Sequence, residues 1–169
     1  MNKVILSDHI HPLSAEIEKL PYDKIDVSED MDDLSEIKEN DTVIDLTFGD
    51  TDYKDALFST LPETITLYSE LAPNGVEFLK EKYSFLTGAL ALSFYSPTGK
   101  VEYIGTVTTE IQELTKKLKR ELYPVEQKNY GFTTPRVLSM IFNEAYFSLE
   151  ENLASIDDIN KAMRYGVNY

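Results

Sequence analysis

The sequence predicts an α/β fold built on a mostly parallel sheet with one antiparallel hairpin, followed by a helical C-terminal segment. Three observations carry this. Short β-branched runs alternate with helix-period segments through residue 83, the pattern of successive βαβ units. Two apolar runs then flank Ser96-Pro97-Thr98-Gly99, where Pro at the second turn position and Gly at the fourth favour a type I turn between antiparallel strands. After Gly131 the apolar period becomes helical and stays so. A chain of 169 residues suits one good-sized domain with a helical appendage, and the change of period divides it into 1–130 and 131–169.

Taken in order, residues 4–6 are a first strand. Pro12 opens a short helix that turns Leu13, Ile17 and Leu20 inward. Ile25 and Val27 mark a weak second strand. Residues 42–47, TVIDLT, make a stronger third. Residues 52–61 suit a helix with Tyr53, Ala56 and Leu57 inward, and residues 64–67 a further strand. Asn74 with Glu77 resembles a capping box for a helix that buries Val76, Leu79 and Tyr83. The hairpin strands are 89–94 and 101–104. Thr109 with Gln112 caps the next helix, whose stripe is Ile111, Leu114 and Leu118, and residues 124–127 suggest a last strand. Lys116, Lys117, Lys119 and Arg120 complement the dipole at the end of that helix, with a phosphate contact as the lesser alternative.

Past Gly131, Pro135 sits in the first turn of a long helix, where its missing N–H costs least. Val137, Leu138, Ile141, Phe142, Ala145 and Leu149 make a wide apolar face. Ser155 with Asp158 caps a second helix with Ile159, Ala162 and Met163 inward, and Gly166 is placed to end it. Two helices cannot bury so wide a face between themselves. A homodimer through residues 134–150 is the expected way to cover it.

Composition removes several function classes. The chain has no Cys, so disulfides, thiolate metal sites and a cysteine nucleophile are excluded. The N-terminal apolar run is too short for a signal peptide and no stretch could span a bilayer, so a cytoplasmic location is expected. Formal net charge is −14; residues 23–41 hold nine acids against Lys24 and Lys38, or −7 of that total. Such a field repels phosphate backbones and anionic lipid, which argues against nucleic-acid and membrane partners. The acidic run reads as a solvated loop and helix face. Asp32-Asp33 and Asp157-Asp158 read as loop and cap residues. His9 and His11 with Asp8 lack a third ligand for a metal site and read as a turn and helix-cap pair.

The C-terminal segment carries Gly131-Phe132, Arg136, Asn143-Glu144-Ala145, Ala154-Ser155, Asp158-Ile159, Ala162-Met163, Gly166 and Tyr169. This pattern resembles the start of the C-terminal domain of the 3-hydroxyacyl-CoA dehydrogenase family, NAD-dependent oxidoreductases of fatty-acid metabolism. The resemblance implies a shortened Rossmann-like domain followed by a helical dimerisation domain. In that family G-x-x-Y is followed by P-x-G-P and further helices, so these two helices read as the opening of a longer helical domain.

The family's chemistry matches less well. Its NAD site needs glycines after the first strand, because only Gly lets the backbone approach the pyrophosphate. Here that loop is Ser7-Asp8-His9-Ile10-His11-Pro12, and no Gly precedes Gly49. The family's catalytic His position holds Ser93, which has no suitable pKa for proton transfer. Glu102 matches the orienting Glu at a shorter spacing, and Ser69 a substrate-contacting serine. The family's active-site Asn is replaced by Pro135. The resemblance therefore implies a degenerate relative without dehydrogenase activity and without a bound cofactor. Two alternatives stand beside it: an active NAD-dependent 3-hydroxybutyryl-CoA dehydrogenase with an altered site, and an acyl-CoA or partner-binding module.

Overall fold

Strand alternation decides where the core lies. The computed structural model describes residues 2–8, 11–27, 32–72, 74, 76–92, 99–126 and 131–166. Among these, β1 (Lys3–Ser7), β2 (Asp23–Asp26), β3 (Thr42–Asp45), β4 (Thr66–Glu70), β5 (Leu86–Ala91), β6 (Lys100–Gly105) and β7 (Glu121–Pro124) form a sheet in the order β2-β1-β3-β4-β5-β6-β7. The first five strands are parallel, β6 runs antiparallel to β5, and β7 lies parallel to β6. Successive side chains point to opposite faces. Val4, Leu6, Val43, Leu67, Ala89 and Ile104 therefore join one buried cluster, while Ile5, Ile44, Tyr68, Leu90 and Tyr103 join the other.

Helices cover both faces. On the first face lie α2 (Thr51–Ser59) through Leu57 and Phe58, and α3 (Val76–Lys82) through Val76 and Leu79, with Phe132 buried beside them. On the second lie α1 (Ser14–Ile17) through Ile17, and α4 (Thr109–Lys117) through Ile111 and Leu114. This is the expected α/β architecture, with parallel strands buried on both sides. Gly88 is required where β5 crosses β6, because a Cβ there would drive into the Tyr103 ring. The chain divides into two compact units, Met1–Phe132 and Thr133–Tyr169. The second holds α5 (Thr133–Glu150) and α6 (Ile156–Gly166), neither of which has a buried residue.

Several local expectations are corrected. The cap of α4 is Thr108, not Thr109: Thr108 is extended and its hydroxyl accepts from the Ile111 N–H, whereas Thr109 is already helical. Asn74 does not cap α3; its amide donates to the Gly49 carbonyl and its Oδ1 has no partner among the described residues. Ala56 faces solvent, and Lys54 and Phe58 take the inward positions of α2. The fourth strand runs on to Glu70, because Ser69 and Glu70 are polar yet buried. The last strand is 121–124 rather than 124–127; it is a short, largely exposed edge strand whose Leu122 alone packs on the core. The inward positions assigned to Ile159, Ala162 and Met163 are only half-buried or, for Ala162, exposed. Gly166 is the last helical residue and does not adopt the left-handed cap conformation. The Ser96–Gly99 turn, His9 and Ser93 lie wholly or mostly outside the described residues.

Candidate functional site

The chain leaves β1 for β2 on one side and returns to β3 on the other, so the strand order reverses at β1. In open α/β sheets ligands bind outside the carboxyl ends of the strands at such a point. The residues there come from three strand ends. Leu6 pairs with Asp45 and Asp45 with Ser69, which places Asp8, Asp45 and Ser69 along one edge.

Asp45 is fully buried and wholly occupied. Its Oδ2 accepts from Ser69 Oγ at 2.5 Å and from Lys54 Nζ at 2.6 Å. Its Oδ1 accepts from Thr47 Oγ1 at 2.6 Å and from the Thr47 N–H at 3.0 Å. Lys54 spends its other two protons on Thr47, at 2.9 Å to the carbonyl and 3.0 Å to the hydroxyl. All three donors of the ammonium are thus satisfied within the chain. Paired and hydrogen-bonded in this way, two buried charges are tolerable; either alone would not be. Asp50 caps α2 by accepting from the Tyr53 N–H at 2.9 Å and so fixes the turn that aims Lys54 inward. Gly49 lies flat on the Tyr53 ring, where a Cβ would clash. Burial pushes the Tyr53 hydroxyl up.

Asp8 joins the loops that follow β1 and β3. Its Oδ1 accepts from the His11 N–H at 3.1 Å and its Oδ2 from the Phe48 N–H at 2.5 Å. His11 is buried, and its Nδ1 accepts from the Leu13 N–H at 3.1 Å. The ring is therefore neutral with its proton on Nε2, which has no partner among the described residues. Burial is the main cause that brings its pKa down to about 4; Asp8 pulls upward, Lys54 downward and Asp45 upward. Glu70, also buried, accepts from the Ala72 N–H at 3.0 Å and the Leu92 N–H at 2.5 Å, tying the ends of β4 and β5 together.

The family-equivalent positions are scattered through this arrangement. Ser69 is a fully buried partner of Asp45. Glu102 lies half-buried on β6, paired with Ala91 on β5. Pro135 lies in α5, where its carbonyl accepts from Ser139 Oγ at 2.9 Å. Sequence reasoning missed Asp45, Thr47, Lys54 and Glu70. A signal existed for one of them: Lys54 sits three and four residues before Leu57 and Phe58, on the apolar stripe of its helix. No group of three or more His, Asp or Glu that could hold a metal occurs among the described residues. Among these residues no helix is long and apolar enough to cross a membrane.

The described N–H donors at these strand ends do not suit a dinucleotide. Pyrophosphate needs unpaired backbone N–H groups at the start of a helix. Here the His11 and Phe48 N–H groups are bonded to the Asp8 carboxylate, and α1 has only four residues, too short to present a row of aligned N–H donors.

Comparison with known proteins places the chain by two routes. Residues 131–169 match the family described as 3-hydroxyacyl-CoA dehydrogenase, C-terminal domain. The whole chain is similar in fold to 5-formyl-3-hydroxy-2-methylpyridine 4-carboxylic acid 5-dehydrogenase, an NAD+-dependent dismutase, with a TM-score of 0.62 at 14% identity. That match covers 100% of this chain and 72% of the other. Residues 131–169 are thus similar to the C-terminal domain of the 3-hydroxyacyl-CoA dehydrogenases, and the chain as a whole shares the α/β fold of an NAD+-dependent dehydrogenase.

Proposed function

We propose that this protein is a 3-hydroxyacyl-CoA dehydrogenase-like pseudoenzyme of the cytoplasm that keeps the fold and a self-assembly surface but not hydride transfer. One observation carries the reading: the Asp8 carboxylate takes the N–H groups of both switch-point loops, at His11 and Phe48. An incoming phosphate would meet a negative charge where it needs donors. The replacement of the family's His and Asn by Ser93 and Pro135 points the same way, since neither residue can shuttle the hydroxyl proton. The test is a spectrophotometric assay with acetoacetyl-CoA and NADH. No oxidation of NADH above background is expected, and turnover that follows enzyme concentration would overturn the proposal.

The self-assembly half rests on α5 and α6. Leu138, Phe142, Leu149, Ile156, Ile159 and Met163 line an apolar cleft of about 680 Å³ between the two helices. Ile141, Leu153 and Ala162 line a second, adjoining cleft of about 400 Å³. A two-fold dimer would set the same stripe of α5 from each copy against the other, so one sequence solves both halves of the interface. Sedimentation equilibrium should give a homodimer, weakened at least tenfold by Phe142→Glu. A clean monomer at high concentration would remove this part of the proposal.

A further inference from the structure

A local reversal of the chain's charge lies between α1 and the end of α4. Lys19 from one side, and Lys117, Lys119 and Arg120 from the other, line a cleft of about 430 Å³ whose apolar lining is Leu20, Pro21 and Leu118. Glu16 is the one acid among the lining residues. In a protein of net charge −14, four cations facing one acid across a concave surface need a reason.

Hydrogen-bond capping of the helix is not the reason, and the helix dipole does not account for Lys19, which lies on the α1 side. The carbonyls at the end of α4 are already satisfied by backbone: Leu118 N–H bonds Leu114 O at 3.0 Å, Lys119 N–H bonds Lys116 O at 3.0 Å, and Arg120 N–H bonds Thr115 O at 2.8 Å. The last two bonds make a Schellman motif, which favours Gly at the left-handed position and an apolar residue after it. This chain has Lys119 there, at φ 56°, followed by Arg120. Gly at that position would relieve the backbone strain that a Cβ imposes. Both departures from the stable pattern add a cation to the cleft. A further cation, Lys117, is held over the Tyr22 ring, its Nζ 5.0 Å from the centroid, and the buried Tyr22 hydroxyl has no hydrogen-bond partner among the described residues.

We propose that this cleft binds a phosphate-bearing small molecule. Its volume falls in the range of small-ligand sites. Lys19, Lys117 and Lys119 against Glu16 leave an excess of about two positive charges without counting Arg120, which suits a phosphate, close to two negative charges at neutral pH, better than a single carboxylate. The apolar lining would receive the organic part of the ligand. The cleft shares no residue with the cluster at the strand ends, so it stands whether or not the pseudoenzyme reading does.

The test titrates the full chain with pyrophosphate, with inorganic phosphate, and with sodium chloride matched in ionic strength. It is followed by amide chemical shifts and thermal unfolding, in the wild type, Lys119→Gly and Lys19→Gln. Saturable shifts confined to residues 16–22 and 114–121 are expected, pyrophosphate binding more tightly than phosphate. Lys119→Gly should raise the melting temperature while weakening pyrophosphate binding at least threefold, a split that a purely structural lysine would not produce. Lys19→Gln should weaken binding as much with little change in melting temperature. Equal response to chloride, or affinity unchanged in both variants, would overturn the proposal. Equal affinity for phosphate and pyrophosphate, with both variants weakened, would support a free phosphate as the ligand; tighter pyrophosphate binding would support a phosphate on a larger carrier.

Discussion

The two units of this chain spend their apolar residues in opposite ways. In the α/β unit, strand and helix side chains close into two clusters, and even its charged residues Asp45, Lys54 and Glu70 are buried and bonded. In the helical unit, α5 and α6 bury nothing fully, and Met140, Phe142, Tyr146, Phe147 and Leu153 are exposed. A hydrophobic pattern of the right period is common to both. A strand has neighbours on two sides and helices above and below, whereas a two-helix hairpin has one seam. The first unit encloses its core with its own chain, and the second leaves its apolar residues partly or wholly exposed.

The largest expected effect breaks the closed unit from within. Lys54→Met keeps the side-chain volume but leaves the Asp45 carboxylate buried without its counter-ion, at a cost of about 3–5 kcal/mol in urea unfolding. An effect under about 1 kcal/mol would mean that Asp45 reaches solvent or takes up a proton.

A second test uses pH. His11 is held neutral, with its pKa lowered from 6.5 to about 4, so between those values the unfolded chain binds a proton that the folded chain refuses. Stability from this group is present above pH 6.5 and is lost as pH falls towards 4, by about 3 kcal/mol in all, since each tenfold difference in proton affinity between the folded and unfolded chain is worth about 1.4 kcal/mol. Asp41 and Asp55, whose pKa values are lowered by the Asn2 N–H and by Lys82 respectively, add acid-side losses of their own. The difference between wild type and His11→Gln isolates the histidine: the variant should lack the segment of the slope between pH 6.5 and 4. Parallel curves would refute the assignment.

How far the sequence revealed this division can be read from particular residues. The strands around Val4, Val43 and Ala89 were legible because buried parallel strands are runs of apolar residues. The hairpin partner strands were legible from their flanking turn. Ser69 and Glu70 hid the end of β4, because a polar residue reads as surface until its partners are known, and those partners are 24 and 22 positions away at Asp45 and Leu92. Lys54 was missed for the same reason, although its place on the apolar stripe of α2 was a signal. Asp8 was legible as a misplaced charge, but its grip on the Phe48 N–H, 40 residues on, was not. The helical segment was legible as a family pattern and as an excess of apolar surface.

The smallest effect compares the caps of the two units. Asp50→Ala removes the acceptor for the Tyr53 N–H at the start of α2 and should cost the α/β unit about 1 kcal/mol. Ser155→Ala removes the acceptor for the Asp158 N–H in α6. It should lower helical circular dichroism at 222 nm while leaving the urea midpoint of the α/β unit unchanged. A matching shift in that midpoint would mean that the units unfold as one.

The most direct test of the proposal that the Asp8 carboxylate keeps a dinucleotide from the ends of β1 and β3 is a calorimetric titration with NADH. No saturable heat is expected up to millimolar NADH, because the Asp8 carboxylate already holds the His11 and Phe48 N–H groups. Stoichiometric binding in the micromolar range would contradict it.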